Sequence, residues 1–389
     1  MTSEIAGYAI SQRTAIFSLL EEMVLIQSGS HNKAGVDAVG QLIQRTCRTL
    51  PVNILEVEQA ELGNHLVIQT KSEDAAGGRI LLVGHMDTVF PADTDFNWYR
   101  EDERCSYGPG VCDMKGGLVA GIFALQALDD AGLLEQIPLT FVFNSDEEIG
   151  SPSSRDLIAD QARQSAAAFV LECGGPEGEI VTGRKGNLSL EMTVKGRAGH
   201  AAFAGSEKAS AILELAHKTI ALEKLNDLDK GLTVNVGQIT GGIGSNTVAE
   251  EARARVDCRF VNPEQKSALG RQIDAIAQAN TVPGTQGYVE IVSSRPPMPQ
   301  DEKNQHLHEI VRSTAAELGQ SIEDEYRQGV SDANQIAAKG IPVVDGLGPV
   351  GGKDHSTQEY MVKESLIHRT QLLAASIVAV HRHFANKGI

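Results

Sequence analysis

Residues 81–89 read LLVGHMDTV, an apolar run that passes directly into His85 and Asp87. A strand is the natural reading, and its two-residue alternation sets both polar side chains on one side of the strand's end. Ligands collect at such ends in open α/β sheets. His85 can then bind a metal ion while Asp87 holds the second ring nitrogen or orients a neighbouring group. A polar strand terminus without a ligand is the plainer alternative.

Working outward, residues 10–28 and 34–50 carry apolar positions at helical spacing, followed by β-rich runs at 52–57, 66–70 and 80–83. Downstream, a Gly- and Ala-rich helix over 116–128, a strand over 139–143, a helix over 156–164 and a strand over 168–171 continue the alternation. That order predicts a layered α/β sheet. From about residue 179 the pattern changes: strands over 188–194, 232–239, 247–260 and 288–292, with helices over 209–225 and 264–279, suggest a smaller α+β unit. The stretch RPPMP (295–299) reads as a linker, because consecutive prolines cannot continue a helix or a central strand. Helices over 304–318 and 332–339, a strand over 342–345 and a helix over 363–384 then return to the first domain. The expected organisation is a discontinuous catalytic domain, 1–178 with 294–389, and an inserted domain, 179–293.

The 389 residues suffice for two or three folding units. Asp plus Glu total 51 against 34 for Lys plus Arg, a formal charge of −17, which argues against nucleic acid as a partner and leaves carboxylates to collect cations. Cys47, Cys105, Cys112, Cys173 and Cys258 are an odd, scattered set without a CxxC pair, fitting neither a disulfide framework nor a zinc ribbon. Residues 1–13, MTSEIAGYAISQR, carry Glu4 where a secretory signal is basic, and no apolar run is long enough to cross a bilayer. A cytoplasmic protein with no membrane partner is expected.

Other strand ends and turns supply further polar groups. In YGPGVCDMKGG (107–117), glycines surround Asp113, as expected where backbone approaches a ligand closely. Neither GxGxxG nor GxxxxGK[ST] is present, so nucleotide-binding readings fail. FVFNSDEEIGSPSSR (141–155) delivers Asp146, Glu147 and Glu148 in succession, a costly cluster unless a cation offsets part of it. A solvated acidic turn is the alternative. AAFVLE (167–172) ends in Glu172, and DGLGPVGGKDHSTQEY (345–360) holds His355. His85, Asp113, Glu148, Glu172 and His355 together supply two imidazoles and three carboxylates, a mixed set suited to a pair of zinc ions. Glu147 is left over as a base. Cys112 and Cys173 flank Asp113 and Glu172, but strand alternation points them away. The remaining histidines, including His306, His308, His381 and His383, read as surface residues of helices. No GxSxG elbow is present, which disfavours a serine hydrolase.

GHMDTV (84–89), GPGVCDMKGG (108–117), NSDEEIGS (144–151), the strand-terminal Glu172, GHAAFAG (199–205) and HSTQEY (355–360) together resemble the M20 family of dinuclear zinc peptidases and deacylases. SDEEIGSPSSR and residues 329–352 resemble in particular its glutamate carboxypeptidase (carboxypeptidase G2-like) branch. The resemblance implies that His85 and Glu172 bind one zinc, Glu148 and His355 the other, and Asp113 both. Co²⁺ or Mn²⁺ would be able to replace zinc. Glu147 would be the general base toward a water between the metals, and Asp87 would orient His85.

By the same resemblance, the inserted domain is a lid and dimerisation domain, and the protein a homodimer. GRAGHAAFAG departs from the commoner HAGxxPExG, yet His200 matches the family histidine that reaches the partner's active site and polarises the scissile carbonyl. Asn246 in GGIGSNTVAE and Arg259 in VDCRF match positions that hold the substrate's terminal carboxylate. Arg184 and Lys185, in VTGRKGNL, are candidates to select an acidic side chain. The implied reaction is zinc-dependent hydrolysis of the amide bond to a C-terminal amino acid, with glutamate the candidate residue. An N-acyl amino acid deacylase and a noncatalytic metal-dependent carboxylate-binding protein are the alternatives.

Overall fold

The strand that ends at His85 lies inside a six-stranded mixed sheet of the computed structural model, which describes residues 2–72 and 78–387. In spatial order the strands are Val52–Val57, His65–Thr70, Leu139–Asn144, Arg79–His85, Ser165–Val170 and Val343–Val344. The first three pair antiparallel, and Leu139–Asn144 through Val343–Val344 are parallel neighbours.

Both faces of this sheet are covered, which explains why its central strands read as unbroken apolar runs. Ile80, Leu82, Phe141, Phe143 and Phe169 join a core with the helices Thr2–Ser11, Arg13–Val24, Lys33–Cys47, Lys115–Asp130 and Lys363–Lys387. The alternating residues Leu81, Val83, Val142 and Val170 are also buried, and Arg155–Arg163 and Asp332–Ala337 pack against the sheet. The helix expected over 10–28 is the shorter Arg13–Val24, and residues 10 and 11 end a separate preceding helix, Thr2–Ser11. A four-stranded sheet of short pieces, Gly351–Gly352, Tyr360–Val362, Cys105–Tyr107 and Arg100–Glu101, has too few residues per strand to show in the periodicity.

The chain divides into two compact units: residues 1–183, 300–327 and 331–389, and residues 184–299 with 328–330. These boundaries lie a few residues beyond the expected 178/179 and 293/294. Ile180–Arg184 is itself a strand, pairing with Asp324–Arg327, so most of it stays with the first unit. RPPMP is paired chain as well as a connection, since Arg184 and Met298 exchange backbone hydrogen bonds at 2.8 and 3.0 Å.

The second unit is an antiparallel sheet in the order Thr233–Gly241, Glu251–Phe260, Gly186–Lys195, Gln286–Arg295, with the helices Ala211–Glu223 and Pro263–Gln278 packed on it. Along Glu251–Phe260 buried and more exposed residues alternate, as in a sheet with one covered face. The strand expected over 247–260 is interrupted: Thr247–Val248 pairs instead with Gly199–His200. Among the described residues no helix is long and apolar enough to cross a membrane.

Candidate metal centre

Three neighbouring parallel strands end side by side, and each releases polar residues from its carboxyl end. Val83 pairs with Val142 on one side and Val170 on the other, so chain segments far apart in sequence converge. Arg79–His85 ends in His85 and is followed by Asp87, Leu139–Asn144 leads into Glu147 and Glu148, and Glu172 lies just past Ser165–Val170. Asp113 enters from the turn before Lys115–Asp130. Gly117 allows that helix to approach, because a Cβ there would lie 2.0 Å from the Leu171 carbonyl oxygen. His355 arrives on a turn where its φ is +60°, a left-handed conformation that histidine adopts more readily than most residues.

The two carboxylate oxygens of Asp113 are divided between two imidazoles. Oδ1 lies 3.1 Å from His85 Nε2 and Oδ2 lies 3.2 Å from His355 Nε2. On the outer sides, Glu172 stands 3.8 Å from His85 Nε2 and Glu148 stands 3.3 Å from His355 Nε2. His85, Asp113 and Glu148 offer ligand atoms within 4.8 Å of one another, as do His85, Glu147 and Glu172. All five expected metal ligands, and Glu147, are therefore brought to one place.

Their electrostatics show a cluster short of positive charge. Burial, then the negative charge of Asp113, pushes Glu172 well above the usual carboxylate range. Burial likewise pushes Glu148 up to about 7. Hydrogen bonds to Asp113 and Glu148 raise His355 to about 11. Burial works against a charged His85, but the hydrogen bonds to Asp113 and Asp87 prevail and raise it well above the histidine norm. Asp113 is pulled well below its usual range by the two imidazoles, against its burial. Protons are thus held where cations would serve. Borderline nitrogen donors flanking a shared carboxylate, with an acid on each outer side, fit a pair of divalent transition ions.

Asp87 divides its tasks differently from the expectation. His85 Nδ1 is 2.9 Å from the Asp87 backbone oxygen but 3.4 Å from its carboxylate. The carboxylate accepts instead from Ser30 Oγ at 2.6 Å and from the backbone N–H groups of Glu147 and Glu148 at 3.2 Å each. It orients the acidic turn more directly than the imidazole.

Residues 81–379 match the family model of peptidase family M20/M25/M40, most of the chain and every segment of this cluster. The chain belongs to peptidase family M20. Carboxypeptidase G2 of Pseudomonas sp. (strain RS-16) is 28% identical over 379 residues, covering 95% of this M20 chain and 90% of that protein. Acetylornithine deacetylase of Myxococcus xanthus is 28% identical over 330 residues, covering 80% and 83% respectively. A solved tripeptidase of Staphylococcus aureus superposes with a TM-score of 0.78 at 25% identity, covering 95% of this chain and 99% of that one.

Several supports of this M20 site escaped the motif reading. Glu359, within HSTQEY, is buried and accepts the backbone N–H groups of Gly110, Cys112 and Asp113 at 2.9, 2.8 and 3.0 Å. Burial raises it to about 7. Lys115 is also buried; its Nζ donates to the Ile26 carbonyl at 2.8 Å, and desolvation lowers it to about 7. Asp146 is no solvated acid, since it accepts from Ser153 and Ser154 through both their N–H and hydroxyl groups. Histidines do not all lie at the surface: His65 and His308 are buried. Each takes part in tertiary contacts that helical or strand periodicity does not encode. Cys112 is buried in the turn before the helix rather than in a strand, with Sγ 3.8 Å from the Pro349 carbonyl oxygen.

The candidate substrate residues belong to the second unit. Pairing of Gly199–His200 with Thr247–Val248, together with a 2.9 Å bond from Ala201 N to Asn246 O, brings His200 and Asn246 into adjacent chain segments. His200 is exposed, and its Nδ1 accepts the Ala202 N–H at 3.2 Å. Arg259 pairs with Asp257 at 2.8 Å. Arg184 and Lys185 are buried. Arg184 donates to the Gly329 carbonyl at 3.1 Å, and burial, then Arg259, lowers Lys185.

Proposed function

We propose that this protein is a cytoplasmic, homodimeric, two-metal hydrolase that cleaves the amide bond to a C-terminal amino acid in peptides or N-acyl amino acids. The observation that carries the reading is the division of the Asp113 carboxylate between His85 and His355, with Glu147 close to His85 and Glu172. His85 and Glu172 would hold one ion, Glu148 and His355 the other, and Asp113 both. Zinc ions bound there supply the Lewis acidity that makes water a better nucleophile at neutral pH and polarises the amide carbonyl.

The chain's own groups do the rest. Glu147 takes a proton from the attacking water as its oxygen bonds to the carbonyl carbon, then passes that proton to the amide nitrogen as the C–N bond breaks. Asp87 holds the Glu147 and Glu148 amides and so fixes where the base stands. His200, contributed by the partner subunit, donates to the developing oxyanion. Its Nδ1 accepts a backbone proton, which leaves the neutral ring's own proton on Nε2. Asn246 and Arg259 take the free carboxylate, which confines cleavage to the chain's end. Arg184 and Lys185 add positive charge that favours an acidic side chain, glutamate first.

Relationship to an acetylornithine deacetylase supports a second reading with the same chemistry, release of an acyl group from an N-acyl amino acid. Hydrolysis of acyl-glutamate, folyl-glutamate and dipeptide panels by zinc-loaded protein separates the two. Glu147→Gln should abolish turnover of whichever substrate is used while metal content stays the same. Undiminished turnover would remove Glu147 from the mechanism, and binding of carboxylates with no hydrolysis of any amide would favour the noncatalytic alternative.

A further inference from the structure

Residues 144–154 carry both Glu147 and Glu148, and two walls of this turn meet one buried side chain. His65 opens the strand His65–Thr70 and is fully buried. Its Nδ1 lies 2.9 Å from Ser145 Oγ and its Nε2 3.1 Å from Ser153 Oγ. Beyond them, Ser145 Oγ is 2.5 Å from the Gly63 carbonyl oxygen, and Ser153 Oγ is 2.7 Å from Asp146 Oδ2. Gly63, Ser145, His65, Ser153 and Asp146 thus form one chain of four links.

Four links need four protons, which bears on the charge of the ring. A carbonyl and a carboxylate only accept, so each serine's single hydroxyl proton points outward, to Gly63 or to Asp146. Both ring nitrogens must then donate inward. A neutral imidazole brings the total to three protons for four links, and somewhere two lone pairs would face each other in a buried site. An imidazolium brings four. Burial, the largest influence, together with Lys33 outweighs Asp146 and Asp87 and holds the ring below the usual histidine range, so the charged form has to be sustained by the hydrogen-bonded chain itself. Against that desolvation stands the second hydroxyl acceptor, which only the charged ring can satisfy, and leaving that buried link unmade costs more than a made hydrogen bond contributes net.

We propose that His65 is a positioning residue: a buried imidazolium, balanced by Asp146 through Ser153, that pins both walls of the turn and so sets the direction of Glu147 and Glu148. The proposal rests on the roles given to those two acids above. Asp146 suits the part of counter-ion, since it also accepts from Ser154 Oγ at 2.5 Å and from the Ser153 and Ser154 N–H groups at 2.6 and 3.2 Å.

The test uses metal-loaded, ¹⁵N-histidine-labelled protein at neutral pH, with the His65 signals assigned by their loss in His65→Gln. Protons on both ring nitrogens are expected. A ring with one bare nitrogen overturns the proposal. This readout stands even if the wild type hydrolyses no amide, an outcome that would fail the functional reading alone. With an active enzyme, His65→Gln should lower kcat about 10-fold or more while KM moves less than about twofold and metal content is unchanged. An unaltered kcat in that folded, metal-replete variant also overturns it. Should His65→Gln fail to fold, Ser153→Ala removes a single link and carries the same expectation.

Discussion

The Asp87 carboxylate accepts the backbone N–H of Glu147 at 3.2 Å, so the candidate base is aimed by a residue sixty positions earlier in the chain. The same carboxylate takes the Glu148 N–H and the Ser30 hydroxyl. Asp87→Asn replaces one acceptor oxygen with a donor that faces other donors. Steady-state kinetics should show kcat lower by about 10- to 100-fold with a smaller change in KM. A change confined to KM would mean that Asp87 acts on substrate rather than on the acidic turn.

Glu359 gathers three backbone N–H groups of the turn that ends at Asp113. Glu359→Gln keeps the shape but puts an NH₂ among donors, loosening the carboxylate that faces both imidazoles. Competition with a chelator should reveal metal affinity weakened by about 10- to 100-fold. Equal retention of metal by variant and wild type would show that Asp113 needs no such anchor.

Without cations the cluster stores protons, with His355 raised to about 11 and Glu148 to about 7. Metal ligation requires the neutral imidazole and the ionised acid, so binding must expel protons and the apparent affinity must rise with pH, through about 7 where Glu148 ionises and on toward about 11 where His355 loses its proton. Calorimetry in buffers of different ionisation enthalpy counts the protons released. An affinity independent of pH would contradict the ligand assignment of His355 and Glu148.

His200 accepts the Ala202 N–H on Nδ1, leaving Nε2 as its donor. His200→Ala should lower kcat by about 10²- to 10³-fold, the cost of one oxyanion donor, and leave metal content untouched. His200→Gln, which restores a donor, should recover part of that loss. A KM effect alone would assign His200 to substrate binding.

Much of the site was legible because its parts sit at strand ends. LLVGH and FVFN announce strands by their apolar runs, and the polar residues that follow are conspicuous against them. The inserted unit was legible from the change of pattern after residue 179. Glu359, Lys115 and His65 were not, because each acts across chain separations that no local period reports: Glu359 on Gly110, Lys115 on Ile26, His65 on Ser145 and Ser153. The role of Asp87 was only half legible. A strand's alternation tells which side a carboxylate leaves from, not whether an imidazole or two backbone amides will take it.

Donor identity belongs to the sequence: which imidazoles and carboxylates exist, and that they leave strands or tight turns. Their partners belong to the tertiary structure. Placing Arg79–His85 between Leu139–Asn144 and Ser165–Val170 is a long-range choice, made by burial of the apolar strands on both faces. That order sets Glu172 on one side of Asp113 and Glu148 on the other, and the antiparallel pairing of His65–Thr70 with Leu139–Asn144 brings His65 to Ser145 and Ser153. Linear spacing carries no direction in space, so only the folded sheet could supply one.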